Sequence, residues 1–517
     1  MRSTAELARA AQAAFDYARA QPDVREVEVF ASANGNLLAR LNYTSHIPCN
    51  GVEEPKSVEA YGLGIQAVFG APDAQRIGFG SEPSDLGPAG AERALAKARR
   101  AAVVDPEFVS LPRPSPEPRT LADYHDPELM TVPDHRLVEA GWTIVDGALR
   151  TFLNSSRLAE LADSDEGLRR LGLILGGDVT MLQERMAIVS THLPRVQTDE
   201  STLVSAFVTG MVEARGAKGS GWSAATRLDD FTDEAGVMAA QAAIDAVGGE
   251  RVPSGRYTVV FGHQPVADIM NNLVVPACNA DAFYASATPF LGRLGRRVAS
   301  PLLSVYDHGA MPGLVGSKGI TCEGLPTGRT DLIRHGTLTG CLTNWYCAQR
   351  LLRDPALADK LGATGAAAAL APRNGFRFGA GGGRKFDSAP GVAASNVVVE
   401  GSEPLSHAEL LRRVGDGLYI GRIWYTYAIN GPRAGDFTCT VVADSYIIRD
   451  GRLAAPLVAN VLRINDNVAT FLNNVVGVTK DAKGTIVWAA DEVVYAPEIA
   501  VSGVRVDAIA EPQEDRP

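Results

Sequence analysis

Histidine and cysteine are scarce in this chain. Its 517 residues include 8 His and 6 Cys, which limits the metal sites and disulfides it could carry to a few. The cysteines, Cys49, Cys278, Cys322, Cys341, Cys347 and Cys439, are scattered, and no two have the C-x-x-C spacing of a zinc knuckle or redox pair. A reduced, cytoplasmic setting is the simplest expectation. A basic excess is also missing. Lys plus Arg number 49 against 60 Asp plus Glu, a net charge of -11, so nucleic acid is not expected as a partner. No window approaches the ~18 consecutive apolar residues of a membrane span, so no membrane association is expected. The amino terminus, Met1-Arg2-Ser3-Thr4-Ala5-Glu6, leads into a charged amphipathic stretch, and no secretory signal is expected. Aromatics are few at 7%, but apolar residues reach 46%. That is enough core for two to four folding units at roughly 100–200 residues each.

Ser3-x-x-Glu6 is a capping box, and Leu7, Ala11, Ala14, Phe15 and Ala18 follow on one helical stripe. Glu26 to Val29 and Leu37 to Leu41 alternate in polarity around Asn34-Gly35, which predicts a tight hairpin turn there. Strands are expected at Tyr61 to Phe69 and Arg76 to Ser81, and a helix near Ala91 to Ala102. A Pro-rich connector at about 105–133 reads as stiff and extended. Beyond it come a helix near His135 to Leu149, strands near Leu171 to Leu175, Val179 to Val189 and Leu203 to Glu213, and an Ala-rich helix near Asp233 to Val247. Residues 1–250 thus read as an α+β domain of helices and antiparallel sheet. Residues 251–517 are richer in Gly and short β-like runs and read as a β-rich domain, with one capped helix at Ser406-x-x-Glu409. Gly379 to Lys385 lacks the Gly-Lys-hydroxyl order of a phosphate loop, because Arg384 and Phe386 flank Lys385. It is expected to be a flexible surface loop.

The stretch Pro289-Phe-Leu-Gly-Arg-Leu-Gly295, Val298-Ala-Ser-Pro301, Val305-Tyr-Asp-His-Gly309, Cys322-Glu-Gly-Leu-Pro-Thr327 and Leu332-Ile-Arg-His-Gly-Thr-Leu338 resembles the TldD/PmbA family in order and spacing. Asp416-Gly-Leu-Tyr-Ile420 and Gly435-Asp-Phe437 add to the match, which covers nearly the whole chain. The resemblance implies a two-domain α+β fold and a cytoplasmic peptidase system of two related subunits. The TldD-like subunit carries zinc on an H-E-x-x-x-H helix plus a distant Cys. The TldE-like (PmbA) subunit lacks that site and completes the assembly.

Zinc hydrolysis needs about three protein ligands, an open position for water and a nearby carboxylate. Here the family's H-E-x-x-x-H falls on Asn271-Asn272-Leu273-Val274-Val275-Pro276, so Asn271, Asn272 and Pro276 stand where the ligands and base would be. The region matching the family's cysteine, Lys480 to Glu492, has no Cys. The resemblance therefore implies the zinc-free, non-catalytic subunit, with zinc in a TldD-like partner and a flexible peptide as substrate. Glu323, Gly324 and Arg329 match the stretch that lies near the family's cleft and are expected at a peptide groove. Two rival readings remain open: a peptide-binding module with no protease partner, and a hydrolase with a rebuilt site.

The other candidates read as structural. His263 and Asp268, five residues apart, sit about 140° apart around a helix and do not converge on an ion. They are expected to be a surface His and a solvated acid. Asp307-His308 reads as a turn. Cys341 and Cys347 read as buried thiols on one helix, and Cys322 lacks an identifiable base. The clusters Gly292 to Arg297 and Arg412-Arg413 read as solvated faces or partner contacts.

Overall fold

The computed structural model describes residues 2–41, 52–71, 75–121, 124–362, 366–488 and 490–509; Cys49 lies outside them. Among the described residues, the first half builds one antiparallel sheet in the order β4-β3-β2-β1-β5-β6-β7. Its strands are β1 (Val24–Leu41), β2 (Val52–Phe69), β3 (Arg76–Pro83), β4 (Val103–Val104), β5 (Leu173–Ser190), β6 (Gln197–Val212) and β7 (Ala217–Ala225). Helix α1 (Thr4–Arg19) starts in the expected capping box, with Ser3 Oγ accepting from Glu6 N–H. Its stripe of Leu7, Ala11, Ala14, Phe15 and Ala18 is buried against the sheet together with helix α2 (Pro88–Ala101). Helix α3 (Asp134–Leu153) and the helix Glu234–Asp245 cover the same face farther along, over β5 to β7. One face of the sheet therefore carries the helices and an apolar core.

The second half is built on strands β8 (Gly255–Phe261), β9 (Leu303–His308), β10 (Arg329–Arg334), β11 (Thr337–Leu338), β12 (Gly375–Phe376), β13 (Gly391–Val392), β14 (Asn396–Gly401), β15 (Pro404–Leu405), β16 (Gly417–Ala428), β17 (Asp436–Arg449), β18 (Arg452–Pro456), β19 (Leu462–Asn467), β20 (Val475–Thr485) and β21 (Val493–Ala508). The main sheet runs β11-β10-β9-β14-β21-β19-β17-β16-β8, and β8 also pairs with β21, closing five strands into a ring. The helix His407–Val414 has the predicted capping box at Ser406 and Glu409.

Three expectations are corrected. Asn34-Gly35 is no turn: β1 runs straight through it, with Asn34 opposite Ala60 on one side and Glu184 on the other. Its side-chain amide donates to the carbonyls of Gly382 and Arg384, so two long ladders and a buried hydrogen bond override a local turn preference. The strands expected at Leu171 to Leu175 and Val179 to Val189 are one strand, β5. It passes Gly177 at φ +146, where a Cβ would meet the Phe207 carbonyl at 2.2 Å.

The third correction concerns Gly379 to Lys385, which is not a free surface loop. It plugs the helix-free face of the first sheet. Arg384 is fully buried between two carboxylates, with Nη1 2.6 Å from Asp199 and Nε 3.3 Å from Glu184, and its own N–H donates to Glu184 at 2.7 Å. Lys318 Nζ reaches Glu184 at 2.5 Å, and Tyr124 and Arg119 complete the shell of Asp199. Alongside, Arg377 pairs with Glu28 at 2.6 Å over the Phe30 ring. Burial alone would raise the Glu184 pKa, but Lys318 and Arg384 hold it well below the usual carboxylate range.

Removing the arginine leaves two buried carboxylates short of a cation. Arg384→Leu is expected to cost about 3–5 kcal/mol in urea unfolding. A loss below about 1 kcal/mol would mean that Lys318 and Arg119 hold the two acids without it.

Candidate functional site

The helical stretch after β8 holds Asn271, Asn272 and Pro276. It begins at His263, after an extended Gly262, as His263–Ile269, continues as a π-helical turn over Met270–Val274 and ends as Val275–Ala277. Pro276 explains the widened turn. It has no N–H to offer the preceding turn, and Val275 N–H bonds instead to the Met270 carbonyl five residues back.

Gln264, Asp268, Asn272 and Pro276 follow at four-residue spacing on one face. The first three form a ladder. Gln264 Nε2 donates to Asp268 Oδ2 at 3.0 Å, and Asn272 Nδ2 donates to Asp268 Oδ1 at 2.8 Å and to its carbonyl at 3.0 Å. Gln264 Oε1 in turn accepts from Ile423 N–H on β16 at 2.9 Å. Asp268 is therefore buried and hydrogen-bonded rather than solvated, and its burial raises its pKa. His263 is half-buried, with Nδ1 2.7 Å from the Ala496 carbonyl.

This donor set does not fit zinc. Asn271 offers one neutral amide oxygen, buried and without a hydrogen-bond partner. Asn272 likewise offers only a neutral amide oxygen, a poor zinc ligand, and Pro276 has no side-chain donor atom. A cavity of about 250 Å³ beside them is lined by Leu273, Pro276, Ala277, Pro289 and Val468 with Asn272, an apolar wall. Among the described residues, no three His, Cys, Asp or Glu side chains are grouped as metal ligands would be. The cysteines at 278, 322, 341, 347 and 439 are free and buried, and burial pushes the Cys278 and Cys322 thiols up to about 12, away from nucleophilic use. Cys347 lies on the helix Trp345–Arg353, whereas Cys341 precedes it. Asp307 and His308 end strand β9 rather than forming a turn. Asp307 is buried, accepting from Ser395 N–H and Asn374 Nδ2 at 2.7 Å each.

Of the three residues expected at a peptide groove, only Arg329 is at the surface. Its guanidinium lies 3.6 Å from the Tyr306 ring centroid and pairs with Asp331 at 2.9 Å. Glu323 is 3% exposed and caps the helix Trp345–Arg353, accepting from Trp345 N–H at 3.0 Å. Gly324 is buried in a left-handed turn, its carbonyl taking Gln197 Nε2 at 2.8 Å. These two belong to the seam between the halves, not to an open groove.

A larger space of about 590 Å³ lies elsewhere along that seam. Its floor is the part of the helix-free face of β5 to β7 that the Arg384 plug leaves open, and its opposite wall comes from Arg422, Trp424 and the segment 484–488. Gln264 lines it too, so the ladder helix runs from this cavity to the small apolar one. Sequence reasoning missed these aromatic and cationic residues. They are far apart along the chain, and no motif or spacing links them.

With this geometry in view, the comparisons with known proteins are specific. The family model for the PmbA/TldA metallopeptidase C-terminal domain matches residues 254–508. The chain belongs to the TldD/PmbA family. It is 26% identical over 249 residues to a metalloprotease from Methanothermobacter thermautotrophicus, covering 48% of each chain. It is also 26% identical over 211 residues to a metalloprotease TldD homolog from Buchnera aphidicola, covering 37% of this chain and 43% of that one. The match thus spans about half the length of these curated relatives. The crystal structure of TldE from Thermococcus kodakarensis superposes with a TM-score of 0.73 over 98% of this chain and 100% of that one, at 18% identity, a likeness of fold. No helix among the described residues is long and apolar enough to cross a membrane.

Burial pushes the Glu323 carboxyl up to about 8, with the nearby Glu28 charge adding to the shift. A carboxyl whose pKa rises on folding contributes stability that is fully present below the unfolded value of 4.5 and is lost as pH rises through the folded one. The stability difference between Glu323→Gln and the unmodified chain should therefore shift in favour of the variant from pH 4 to pH 9, by on the order of 3–5 kcal/mol. Parallel pH curves in urea unfolding would show that Glu323 titrates as an ordinary carboxylate.

Proposed function

We propose that this chain is the zinc-free, TldE-like subunit of a heteromeric TldD/TldE-type metallopeptidase that processes or degrades flexible peptides. The observation that carries the reading is the donor set on the ladder helix. Asn271, Asn272 and Pro276 replace the family's two histidines and glutamate, and the wall beside them is apolar. A hydroxide-generating zinc centre needs about three anionic or imidazole donors converging on one ion; on this helix only His263 and Asp268 are of that kind, and the Asp268 oxygens are taken up by Gln264 and Asn272. Zinc then belongs to a TldD-like catalytic subunit in the cytoplasm. This chain pairs with that subunit, helps to enclose its cleft and holds part of an extended substrate. The acidic balance of the chain, -11, fits a peptide rather than a nucleic-acid partner.

The test is to purify the full chain alone and together with a TldD-like protein encoded in the same genome. The isolated chain should hold far less than one zinc per molecule and cleave no unstructured peptide, while the pair should co-purify and show peptidase activity that chelation abolishes. Stoichiometric zinc in the isolated chain, with hydrolysis lost on chelation, would overturn the proposal in favour of a rebuilt hydrolase. A genome with no TldD-like protein would favour a peptide-binding module acting alone.

A further inference from the structure

The chain has five tryptophans, and three of them, Trp222, Trp424 and Trp488, line the cavity of about 590 Å³ between the halves, together with Phe207. The four rings come from β6, β7, β16 and the segment after β20. Phe207 and Trp222 stack on the sheet face with centroids 6.2 Å apart and ring planes 15° apart. Trp222 is fixed by its Nε1–H, which donates to Thr485 Oγ1 at 3.0 Å. Trp424 and Trp488 form a second aromatic wall, with centroids 6.3 Å apart. Arg422 sits between the walls, 5.0 Å from the Phe207 centroid, and is anchored by bonds to Thr209 and Ser220 at 3.0 and 2.7 Å.

Two features at the rim point to an occupant. Trp488 is 79% exposed, a large apolar surface left facing solvent beside a concavity. Strand β16 breaks register between Trp424 and Tyr427, and Tyr425 takes φ +56, a conformation that aromatic residues rarely adopt and that is found where a site is being shaped.

The backbone indicates the kind of occupant. Strand β7 is the last strand of its sheet and pairs there with β6 alone. On its outer edge, Ser220 N–H is taken by the Asp444 carboxylate at 3.1 Å, which closes one end. In an antiparallel ladder alternate residues point the same way, so the main-chain groups of Trp222 and Ala224 face outward as Ser220 does, and both residues line the cavity. An extended chain laid along this edge finds main-chain partners and drops alternate side chains onto the Phe207 and Trp222 face.

We propose that this cavity binds an extended peptide by seating one bulky aromatic or aliphatic side chain among Phe207, Trp222, Trp424 and Trp488, with the peptide main chain added to the outer edge of β7. The proposal rests on the peptidase-subunit reading and adds to it a side-chain class that the substrate must carry.

The test uses the full chain and amide-capped, acetylated octapeptides of Gly and Ser that carry Phe, Leu, Ser or Asp at the fourth position. Intrinsic tryptophan fluorescence and calorimetry read the binding. The Phe and Leu peptides should bind at least about ten-fold more tightly than the Ser and Asp peptides. Trp424→Ala and Trp488→Ala should erase that preference, whereas Trp142→Ala, on the exposed face of α3, should leave it intact. N-methylation of the peptide bonds flanking Phe should weaken binding by a similar factor. Equal affinity across the four peptides, absence of binding, or binding of N-acetylphenylalanine amide as tight as that of the Phe peptide would each overturn the proposal. Zinc found in the isolated chain would end the subunit reading and leave this result standing.

Discussion

The two halves of the chain are held in register by a charge that neither could keep alone. Arg384 enters the helix-free face of the first sheet with no exposed surface and meets Glu184 and Asp199, which have none to spare either. An arginine or carboxylate taken out of water costs several kcal/mol, and only close, multiply hydrogen-bonded partners offset that cost. Those partners come from both sides: Glu184 and Asp199 from β5 and β6, Lys318 and Arg384 from the second half. Displacing the halves would leave four buried side chains of opposite charge without their partners. The geometry of the larger cavity follows, because its floor is the part of the same face that the plug does not reach.

Local chemistry made much of the fold readable. The capping boxes at Ser3 and Ser406 start helices where expected, and the runs Tyr61 to Phe69 and Arg76 to Ser81 are strands. The readings that failed share a cause. Asn34-Gly35 looks like a turn, and Gly379 to Lys385 like a loose loop, only until each meets the other: Asn34 donates to carbonyls within that loop, some 350 residues on. Asp268 reads from sequence as a solvated acid, but Gln264 and Asn272 bond both its oxygens, and Gln264 and Asp268 are buried against β16. Glu323 sits in a motif recognisable by family resemblance, and the motif did not reveal that its carboxylate is turned inward to cap a helix.

The candidate site divides along the same line. That residues 271–276 carry no histidine, cysteine or carboxylate is visible in the sequence, since ligand chemistry is a property of residue type. The aromatic cavity was not visible, because Phe207, Trp222, Trp424 and Trp488 converge only once β6, β7 and β16 are placed against the segment after β20. Composition held one unused hint: in a chain with five tryptophans, three at one place is a concentration that core packing alone does not require.

The ladder helix joins the two observations. A catalytic helix must present charged, water-accessible donors, and their field would oppose an apolar wall nearby. Here the cavity beside Asn272 and Pro276 has a mostly apolar lining, and burial raises the Asp268 pKa. The amides on either side of Asp268 take up its oxygens, which leaves Gln264 Oε1 to hold Ile423 N–H on β16. Ile423 lies between Arg422 and Trp424, the residues that form the far wall of the larger cavity. Helix 263–277 thus acts through hydrogen bonds, fixing the strand that carries the aromatic wall. The same run of side chains borders an apolar wall at one end and, through Gln264, holds the strand of the larger cavity at the other.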